Sequence, residues 1–193
     1  MSVDSRYVTE IPLLDGRVAT VRPLQPSDVE PLTVFFTSLS PETRRYYGPH
    51  PFDRPTAERL CASIDESKTV RFVAVLDDGG EASQFIGYMI LTREIGKSDI
   101  WRYGARLHQG KCACFAPGIL DGYQNQGFGT QMARHVVDCA KEMGLRQIIL
   151  MGGVVAVNAR AQRLYEKLGF RRVGQFWTGE DKKKLNYDMA LEL

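Results

Sequence analysis

A short glycine loop near the middle of the chain has the residues needed to bind a phosphate group. Residues 124–130 read QNQGFGT, and a helical pattern of apolar residues begins within this loop. The first N–H groups of a helix have no intrahelical partner and lie at the positive end of its dipole, so they bind pyrophosphate. Glycines at 127 and 129 leave room for its approach. The loop matches neither Walker A nor a full G-x-G-x-x-G, because Met132 stands at the third glycine position.

A second motif follows at 158–170, where the chain reads NARAQRLYEKLGF. Its apolar residues recur every three or four positions, which predicts a helix that ends at the glycine of position 169. Tyr165 has two interpretations. It packs on the apolar face of this helix together with Leu164 and Leu168, or its phenol takes part in chemistry.

The two motifs together resemble those of the GNAT superfamily of acyl-CoA-dependent N-acyltransferases. The pattern Q-x-x-G-x-G at 124–129 is similar to that family's pyrophosphate loop. The pattern N-x-x-A-x-x-L-Y-x-x-x-G-F at 158–170 is similar to its later helix. The motifs cover 119–170, and the predicted order of elements fits the family from 17 to 193.

The resemblance implies an α/β (α+β) fold with a mixed, mostly antiparallel, seven-stranded sheet. Helices flank the sheet, which splays between its fourth and fifth strands so that pantetheine can enter. The co-substrate would be acetyl-CoA. The strand residues Pro117 to Ile119 would line the pantetheine, loop N–H groups would hold the pyrophosphate, and Asn158 would bond the pantetheine arm. The implied binding residues are Pro117, Gly118, Ile119, Gln124, Asn125, Gln126, Gly127, Phe128, Gly129, Thr130 and Asn158.

The resemblance also implies a direct-transfer mechanism. An amine attacks the thioester, a backbone N–H of Ile119 or a neighbour stabilises the oxyanion, and Tyr165 protonates the departing thiolate. Some members of the family carry a glutamate base where this chain has Gly153. An amine with a pKa near 10 must lose its proton before it attacks. The base must then come from elsewhere, through water or from one of four residues: Glu94, Asp99, His108 and Asp121.

Acceptor selection is expected from 32–52 and 95–110. The first segment holds a polar and aromatic cluster that could recognise an acidic or planar acceptor, or that simply forms a solvated helix end beside packed rings. Its members are Arg44, Arg45, Tyr46, Tyr47 and His50. We therefore expect an acetyl-CoA-dependent N-acetyltransferase acting on an amine of a small molecule or a protein. The alternative is a non-catalytic acyl-CoA sensor, which the missing glutamate favours.

The elements that must position these residues follow from the hydrophobic pattern. Strands are predicted at 17–22, 70–76, 85–92, 111–120, 147–157, 171–178 and 185–193, with a hairpin turn at 77–80 and an interruption at Pro117-Gly118. Helices are predicted from a capping box at Ser27, after Ser40, from a cap at Thr56, and at 127–143 and 158–168. Residues 95–110 are predicted to form a loop.

Composition excludes several classes of function. The length of 193 residues predicts a single domain with a flexible tail at 1–10, and the resemblance implies that it is an acetyltransferase domain. A net charge of +2 gives no support for binding to nucleic acid or an acidic membrane. The four cysteines form no C-x-x-C, and no histidine lies at ligand spacing from them, so no metal is expected. No apolar run is long enough to span a membrane, and a cytoplasmic location is expected. The sequence does not decide whether the protein forms a homodimer.

Overall fold

One sheet runs through the part of the chain that the computed structural model describes, residues 7–77, 83–181 and 183–193. Its nine strands are β1 (Thr9–Pro12), β2 (Val18–Pro23), β3 (Thr69–Leu76), β4 (Gln84–Thr92), β5 (Cys112–Ile119), β6 (Gln147–Leu150), β7 (Val154–Val155), β8 (Arg171–Thr178) and β9 (Lys184–Glu192). They lie in the order β1-β2-β3-β4-β5-β6-β9. Strand β7 pairs with β9 beyond the end of β6, and β8 pairs with the other edge of β9. Only β5 and β6 are parallel.

Helices cover both faces of this sheet. They are α1 (Val29–Ser38), α2 (Pro41–Tyr46), α3 (Arg54–Ala62), α4 (Lys97–Tyr103), α5 (Phe128–Glu142) and α6 (Ala159–Lys167). Helices α5 and α6 pack on one face, over a core that includes Phe72, Ile86 and Phe115. Helices α1 and α3 pack on the opposite face, over Val73 and Tyr88. The two cores use alternate residues of the same strands, as the pleat of a sheet requires.

Helix α5 has a clear helical pattern of apolar residues and packs directly on the sheet. Its buried residues Phe128, Met132 and Val136 recur on the face toward the strands. A glycine on β4 allows this approach, since a Cβ built on Gly87 would stand 2.7 Å from Sδ of Met132. The glycine loop that begins α5 is thereby held at the carboxyl end of β5.

The sheet opens between β5 and β6. Strand β5 pairs with β4 as far as Ile119, but its pairing with β6 ends at Phe115. Leu120 donates its N–H to the carbonyl of Ile86 (2.9 Å), and Met151 donates to the carbonyl of Phe115 (3.0 Å). Because alternate residues of a strand direct their backbone groups to opposite neighbours, Pro117 and Ile119 direct theirs away from β4 and into the gap.

This geometry corrects the prediction that β5 is interrupted or bulged at Pro117-Gly118. The strand continues through both residues in unbroken register with β4. Proline is tolerated because its nitrogen points into the gap, where the ladder offers no acceptor. The opening predicted between the fourth and fifth strands is therefore present, here between β5 and β6, and only the β6 side of the ladder is lost.

Other predictions differ from the structure in detail. The mixed, mostly antiparallel sheet flanked by helices is confirmed, but it has nine strands rather than seven because β1 begins inside the predicted tail and 147–157 divides into β6 and β7. The tail prediction is thus wrong for residues 9 and 10, while 1–6 lie outside the described residues. Residues 95–110 contain α4 and a 3-10 turn at Gly104–Arg106 rather than a loop alone. Most of the hairpin turn predicted at 77–80 also lies outside the described ranges.

The helix starts were predicted to within about three residues, with two wrong caps. Ser40 caps α2 as expected, by accepting the N–H of Thr43. Helix α3 is capped by Asp53, three residues before Thr56. At α1 the carboxylate of Asp28, rather than Ser27, accepts the N–H of Gln25 and also binds Arg22. A side chain that can cap does so only where the backbone brings a free N–H to it.

Candidate active site

A cleft of about 370 Å³ opens where β5 and β6 separate. Most of the residues predicted to bind acyl-CoA line it, and Gln126 and Phe128 do not. Phe128 is buried in the core, so only its backbone faces the loop. The carboxamide of Gln126 donates to the carbonyl of Gly122. The predicted residues in the lining are Pro117, Gly118, Ile119, Gln124, Asn125, Gly127, Gly129, Thr130, Asn158 and Tyr165.

The glycine loop at the edge of this cleft has unpaired backbone N–H groups. Asn125 and Gly127 have left-handed backbone conformations (φ 61° and 82°), and Gly127 is the residue before α5. The carbonyl of Gly127 accepts the N–H groups of Thr130 and Gln131. Within the described residues, no acceptor takes the five N–H groups from 125 to 129. This is the arrangement that binds an anion at a helix N-terminus.

Gln124 ties the loop to its surroundings. Its carboxamide nitrogen donates to the carbonyl of Ile119 (2.7 Å) and to Oγ1 of Thr43 on α2 (3.2 Å). Asp121 makes the parallel connection, because its carboxylate accepts hydrogen bonds from both N–H and Oγ of Ser40 and from Oγ1 of Thr43. Burial opposes ionisation of Asp121, but these hydrogen bonds outweigh it and hold the pKa of the carboxyl below its ordinary value.

Tyr165 and Asn158 lie on the α6 side of the cleft. The side-chain oxygen of Asn158 accepts the N–H of Ala161 and so caps α6. Tyr165 is buried against Phe170, with ring centroids 5.6 Å apart. Burial raises the pKa of its phenol above the ordinary value. In the part of the chain that is described, its hydroxyl has no hydrogen-bond partner, which leaves this donor for a molecule in the cleft.

Tyr47, a member of the cluster expected to take part in acceptor selection, lines the same cleft as Tyr165. Its ring lies against Gly118, where a Cβ would stand only 2.5 Å from Cε1 of the tyrosine. It stacks on Phe52 (5.6 Å), and its hydroxyl donates to the carbonyl of Tyr88 (3.4 Å). Burial raises the pKa of Tyr47 well above its ordinary value, and the phenols of Tyr88 and Tyr165 raise it further. Two phenols that pack with opposite faces of the sheet therefore line the same cleft.

Gly153 forms part of the opposite wall, and its geometry explains why no glutamate stands there. It has φ of +72°, and a Cβ would lie 2.8 Å from both Cε1 of Phe176 and the carbonyl oxygen of Tyr187. A side chain at this position would clash with backbone as well as with a ring. The neighbouring Gly152 has a similar φ of +67° but open space around it.

A buried charge cluster supports this wall from behind. Asp99 on α4 accepts the N–H of Gly152 (3.3 Å) and binds Arg102. Arg102 also donates to both carboxylate oxygens of Asp188 on β9 (3.0 and 3.2 Å). Its guanidinium lies 3.8 Å from the centre of the Phe176 ring, which in turn covers Gly153. From the cleft inward, Gly153 is thus followed by the ring of Phe176, then by the guanidinium of Arg102, and then by the carboxylates that bind it.

None of the four residues proposed as general bases lines the cleft. Asp121 is held by α2 and Asp99 by Arg102, as described above. His108 lies near Glu192 (3.4 Å), on the far end of β9. The N–H of Glu94 donates to Thr92, and its side chain is exposed. The described residues that line the cleft include no aspartate or glutamate.

Three cations on α6 were missed by the sequence interpretation. Arg160, Arg163 and Lys167 recur at helical spacing, and all three line the cleft beside the glycine loop. Their signal was present in the second motif, where they occupy variable positions between the residues that define it.

The members of the polar cluster at 44–50 have different positions. Tyr46 and Tyr47 line the cleft, whereas Arg44 donates to the last carbonyls of α1 and His50 bonds Tyr88.

Comparison with known proteins identifies the family. Residues 19–171 match the sequence model of a family described as acetyltransferase (GNAT) domain. The chain belongs to the GNAT family of acetyltransferases. The acetyltransferase PA5475 of Pseudomonas aeruginosa is 34% identical over 163 residues, which are 83% of this chain and 78% of that protein. The enzyme is therefore an N-acetyltransferase, as its motifs indicate.

Solved structures share the fold at low identity. A ribosomal-protein-S5-alanine acetyltransferase from Vibrio fischeri superposes with a TM-score of 0.75 at 13% identity, over 96% of each chain. Spermidine N-acetyltransferase from Vibrio cholerae, in complex with CoA and spermine, superposes with a TM-score of 0.66 at 20% identity, over 90% of this chain and 95% of that one. These two neighbours have different acceptors, so the shared fold does not identify the acceptor of this GNAT enzyme.

The described residues contain neither a candidate metal site nor a candidate membrane-spanning helix. No group of three or more histidine, cysteine, aspartate or glutamate side chains is arranged to hold a metal ion there. No helix in those ranges is both long and apolar enough to cross a membrane.

Gly152 and Gly153 allow a prediction that compares the same substitution at two neighbouring positions of the wall. Gly152→Ala should lower the free energy of unfolding by about 1–2 kcal/mol, the cost of a left-handed backbone for an L-residue. Gly153→Ala should cost at least about 2 kcal/mol more, because its Cβ also meets the Tyr187 carbonyl and the Phe176 ring. Urea denaturation of both variants measures the difference, and equal losses would contradict the crowding at Gly153.

The charge cluster yields a prediction that depends on pH. Arg102→Met leaves two buried carboxylates without their cation, which should cost about 3–5 kcal/mol at neutral pH. Burial raises the pKa of Asp188 even against the opposing effect of Arg102. A carboxyl whose pKa is higher folded than unfolded binds its proton more tightly in the folded protein, so stability should return as the pH falls toward about 5. Urea unfolding at both pH values, with the exposed Lys97→Met as control, tests this. A loss independent of pH would contradict it.

Proposed function

We propose that this enzyme transfers the acetyl group of acetyl-CoA directly to an amine in the cleft between β5 and β6. One observation carries the proposal: unpaired backbone groups of the opened strand and of the glycine loop line the same cleft as the free hydroxyl of Tyr165. The acetyl-CoA thioester would supply the activated acyl group. Each part of the cleft suits a different part of that molecule.

The open edge of β5 suits the pantetheine arm. The carbonyl of Pro117 and the N–H of Ile119 point into the gap left by β6, as the register of the strand requires. Pantetheine contains two secondary amides, so it can replace the missing strand by accepting and donating at these groups. The N–H of Ile119 is also the donor best placed to stabilise negative charge on a carbonyl oxygen at the end of that arm.

The glycine loop and α6 suit the phosphates. The N–H groups of Asn125, Gly127 and Gly129 have no acceptor among the described residues and lie at the positive end of α5, and three cations of α6 line the same cleft. Backbone donors fix the position of an anion, and the flexible cations add attraction at longer range. Together they account for a site that selects a CoA ester over a simple thioester.

Tyr165 suits the leaving sulfur as a hydrogen-bond donor. A thiol has an ordinary pKa near 8.5 and a phenol one near 10, and burial raises the pKa of Tyr165 further. The phenol therefore stays protonated, and it stabilises the thiolate by sharing its proton rather than by losing it. In the complete step, the C–N bond forms as the C–S bond breaks, the thiolate carries the electron pair away, and the amine proton passes to solvent.

The alternative from the sequence, a non-catalytic acyl-CoA sensor, has one supporting observation. The wall at Gly153 has no room for a carboxylate, and none of the described lining residues supplies one. Turnover decides between the two functions. Release of CoA thiol that depends on an added amine supports the enzyme, whereas tight CoA binding without turnover of any amine supports the sensor.

Tyr165→Phe should lower kcat by about tenfold to hundredfold, because the developing thiolate loses its donor, and should leave the affinity for CoA unchanged. Thiol release with saturating acetyl-CoA and calorimetric CoA titration measure the two quantities. Tyr123→Phe is the control, since Tyr123 lines the same cleft but bonds Gln84 and Arg17 at the surface. Unchanged turnover in the Tyr165 variant would assign that residue to packing alone.

The double variant Arg163→Gln and Lys167→Gln should weaken CoA binding about tenfold and reduce its dependence on salt, with little change in kcat at saturation. Titration with CoA at low and high salt measures both effects. Lys141→Gln serves as the control, because Lys141 is exposed on α5 and paired with Asp138. An affinity that does not change would remove these cations from the phosphate site.

A further inference from the structure

The acyl end of the co-substrate has a defined place along β5, provided that the co-substrate binds as proposed above. The glycine loop follows the carboxyl end of β5, and both line the cleft. A pantetheine arm that starts from phosphates at this loop runs back along the open edge of the strand, past Ile119 and toward Pro117. The gap closes two residues further on, where Phe115 pairs with Leu150. The thioester at the far end of the arm therefore lies at the closed end of the gap, beside Gly118.

Tyr47 covers this end of the gap from the side of α1 and α3. Its ring lies against the backbone of Gly118, where a Cβ would stand 2.5 Å from Cε1 and 2.7 Å from Cζ of the tyrosine. It lines the same cleft as Tyr165, the proposed donor to the leaving sulfur. Gly118 directly precedes Ile119, whose N–H is the proposed donor to the thioester oxygen. The Tyr47 ring thus stands beside the groups that would hold the thioester.

Contacts on three sides hold the Tyr47 ring in place. Gly118 lies at its edge, and Phe52 stacks on its face with ring centroids 5.6 Å apart and an angle of 24° between the planes. The hydroxyl donates to the carbonyl of Tyr88 on β4 (3.4 Å). Phe52 in turn packs on Phe36 (5.3 Å), which is fully buried in the core under α1 and α3. The ring is therefore a fixed wall, because it could retreat only if this aromatic core moved.

A fixed wall at this place limits the length of the acyl group. An acetyl group adds a single methyl to the thioester carbonyl, whereas a butyryl group adds two further methylenes. At the closed end of the gap, those methylenes would have to occupy the space that the Tyr47 ring fills. A packed protein interior does not accept additional methylenes without strain. A longer chain would therefore displace the ring or draw the thioester away from Ile119 and Tyr165.

We propose that Tyr47 sets the upper size of the acyl group, so that this enzyme binds acetyl-CoA in preference to longer acyl-CoA esters. This inference rests on the proposed function and adds to it the residue that selects the acyl donor. The sequence placed Tyr47 in a cluster for acceptor selection, and its contact with β5 assigns it to the donor instead. The ring is surrounded by the apolar core under α1 and α3, so its removal would leave an apolar pocket suited to an alkyl chain.

Calorimetric titration with CoA, acetyl-CoA and butyryl-CoA, in the absence of any amine, tests the proposal. The wild-type enzyme should bind butyryl-CoA about tenfold more weakly than acetyl-CoA, because the wall resists the longer chain. Tyr47→Ala should reverse this order and bind butyryl-CoA about tenfold more tightly than acetyl-CoA, since each newly buried methylene strengthens binding roughly three- to fourfold. CoA itself has no acyl group and should bind both proteins equally, which also shows that the variant is folded.

Three further variants make the test specific to the ring. Tyr47→Phe keeps the ring but loses the bond to Tyr88, and it should keep the wild-type order of affinities. Tyr46→Ala removes the neighbouring ring of the cleft, which lies beside the guanidinium of Arg45 (5.7 Å), and should leave the ratio of the two affinities unchanged. Tyr47→Leu fills part of the space and should show the same reversal to a smaller degree. It takes the place of the alanine variant if that protein fails to bind CoA.

Each outcome has a defined meaning. Equal affinity of the wild-type enzyme for the two esters would overturn the proposal, and so would the wild-type order in a Tyr47→Ala or Tyr47→Leu variant that binds CoA normally. A change in Tyr46→Ala as large as that in Tyr47→Ala would also overturn it, because the limit would then not belong to Tyr47.

These titrations require neither an acceptor nor turnover, so they separate this inference from the proposed function. If CoA binds but no amine causes release of thiol, direct transfer is refuted while the order of affinities still decides the role of Tyr47. If the wild-type enzyme does not bind CoA, both the proposed function and this inference are refuted.

Discussion

The unequal pairing of β5 with its two neighbours is the constraint on which the rest of this enzyme depends. The strand is paired with β4 through Ile119 but with β6 only through Phe115. Beyond that point, the backbone groups of alternate residues have no strand to bond, and a buried polar group without a partner is costly. The open edge is stable because it faces a cleft, where water or a bound molecule can satisfy it. The proposed active site is thus the place where the sheet is incomplete.

The two walls of this cleft are fixed by different means. On the α2 side, Asp121 and Gln124 join the end of β5 to Ser40 and Thr43 through short hydrogen bonds. On the other side, Arg102 and Asp99 of α4, together with Asp188 of β9, hold Gly152 and Phe176. Buried ion pairs add little net stability, and their value here lies in defining one arrangement of the wall. Both sets of contacts support the site through residues that are distant from it in sequence.

The sequence predicts the parts of the site that depend on local geometry. The loop before α5 needs glycine at 127 because its φ is positive, and α6 needs Asn158 as its cap, so both motifs can be recognised without a structure. The contact of Tyr47 with Gly118 cannot be recognised from the sequence, because these residues are brought together only by the packing of α2 on the sheet. For the same reason α4 and its partner Asp188 were not foreseen. The segment 95–110 is short of apolar periodicity because its helix is anchored by charges.

The seam between β5 and β6 has a mechanical consequence. Only four residue pairs, from Cys112 with Gln147 to Phe115 with Leu150, join the half-sheet of β1 to β5 to the half-sheet of β6 to β9. A molecule lying along Pro117 and Ile119 would supply the missing rungs of the ladder and clamp the two halves together. If the co-substrate binds there as proposed, its binding would complete the sheet, and the enzyme would be most rigid when its reacting groups must be aligned.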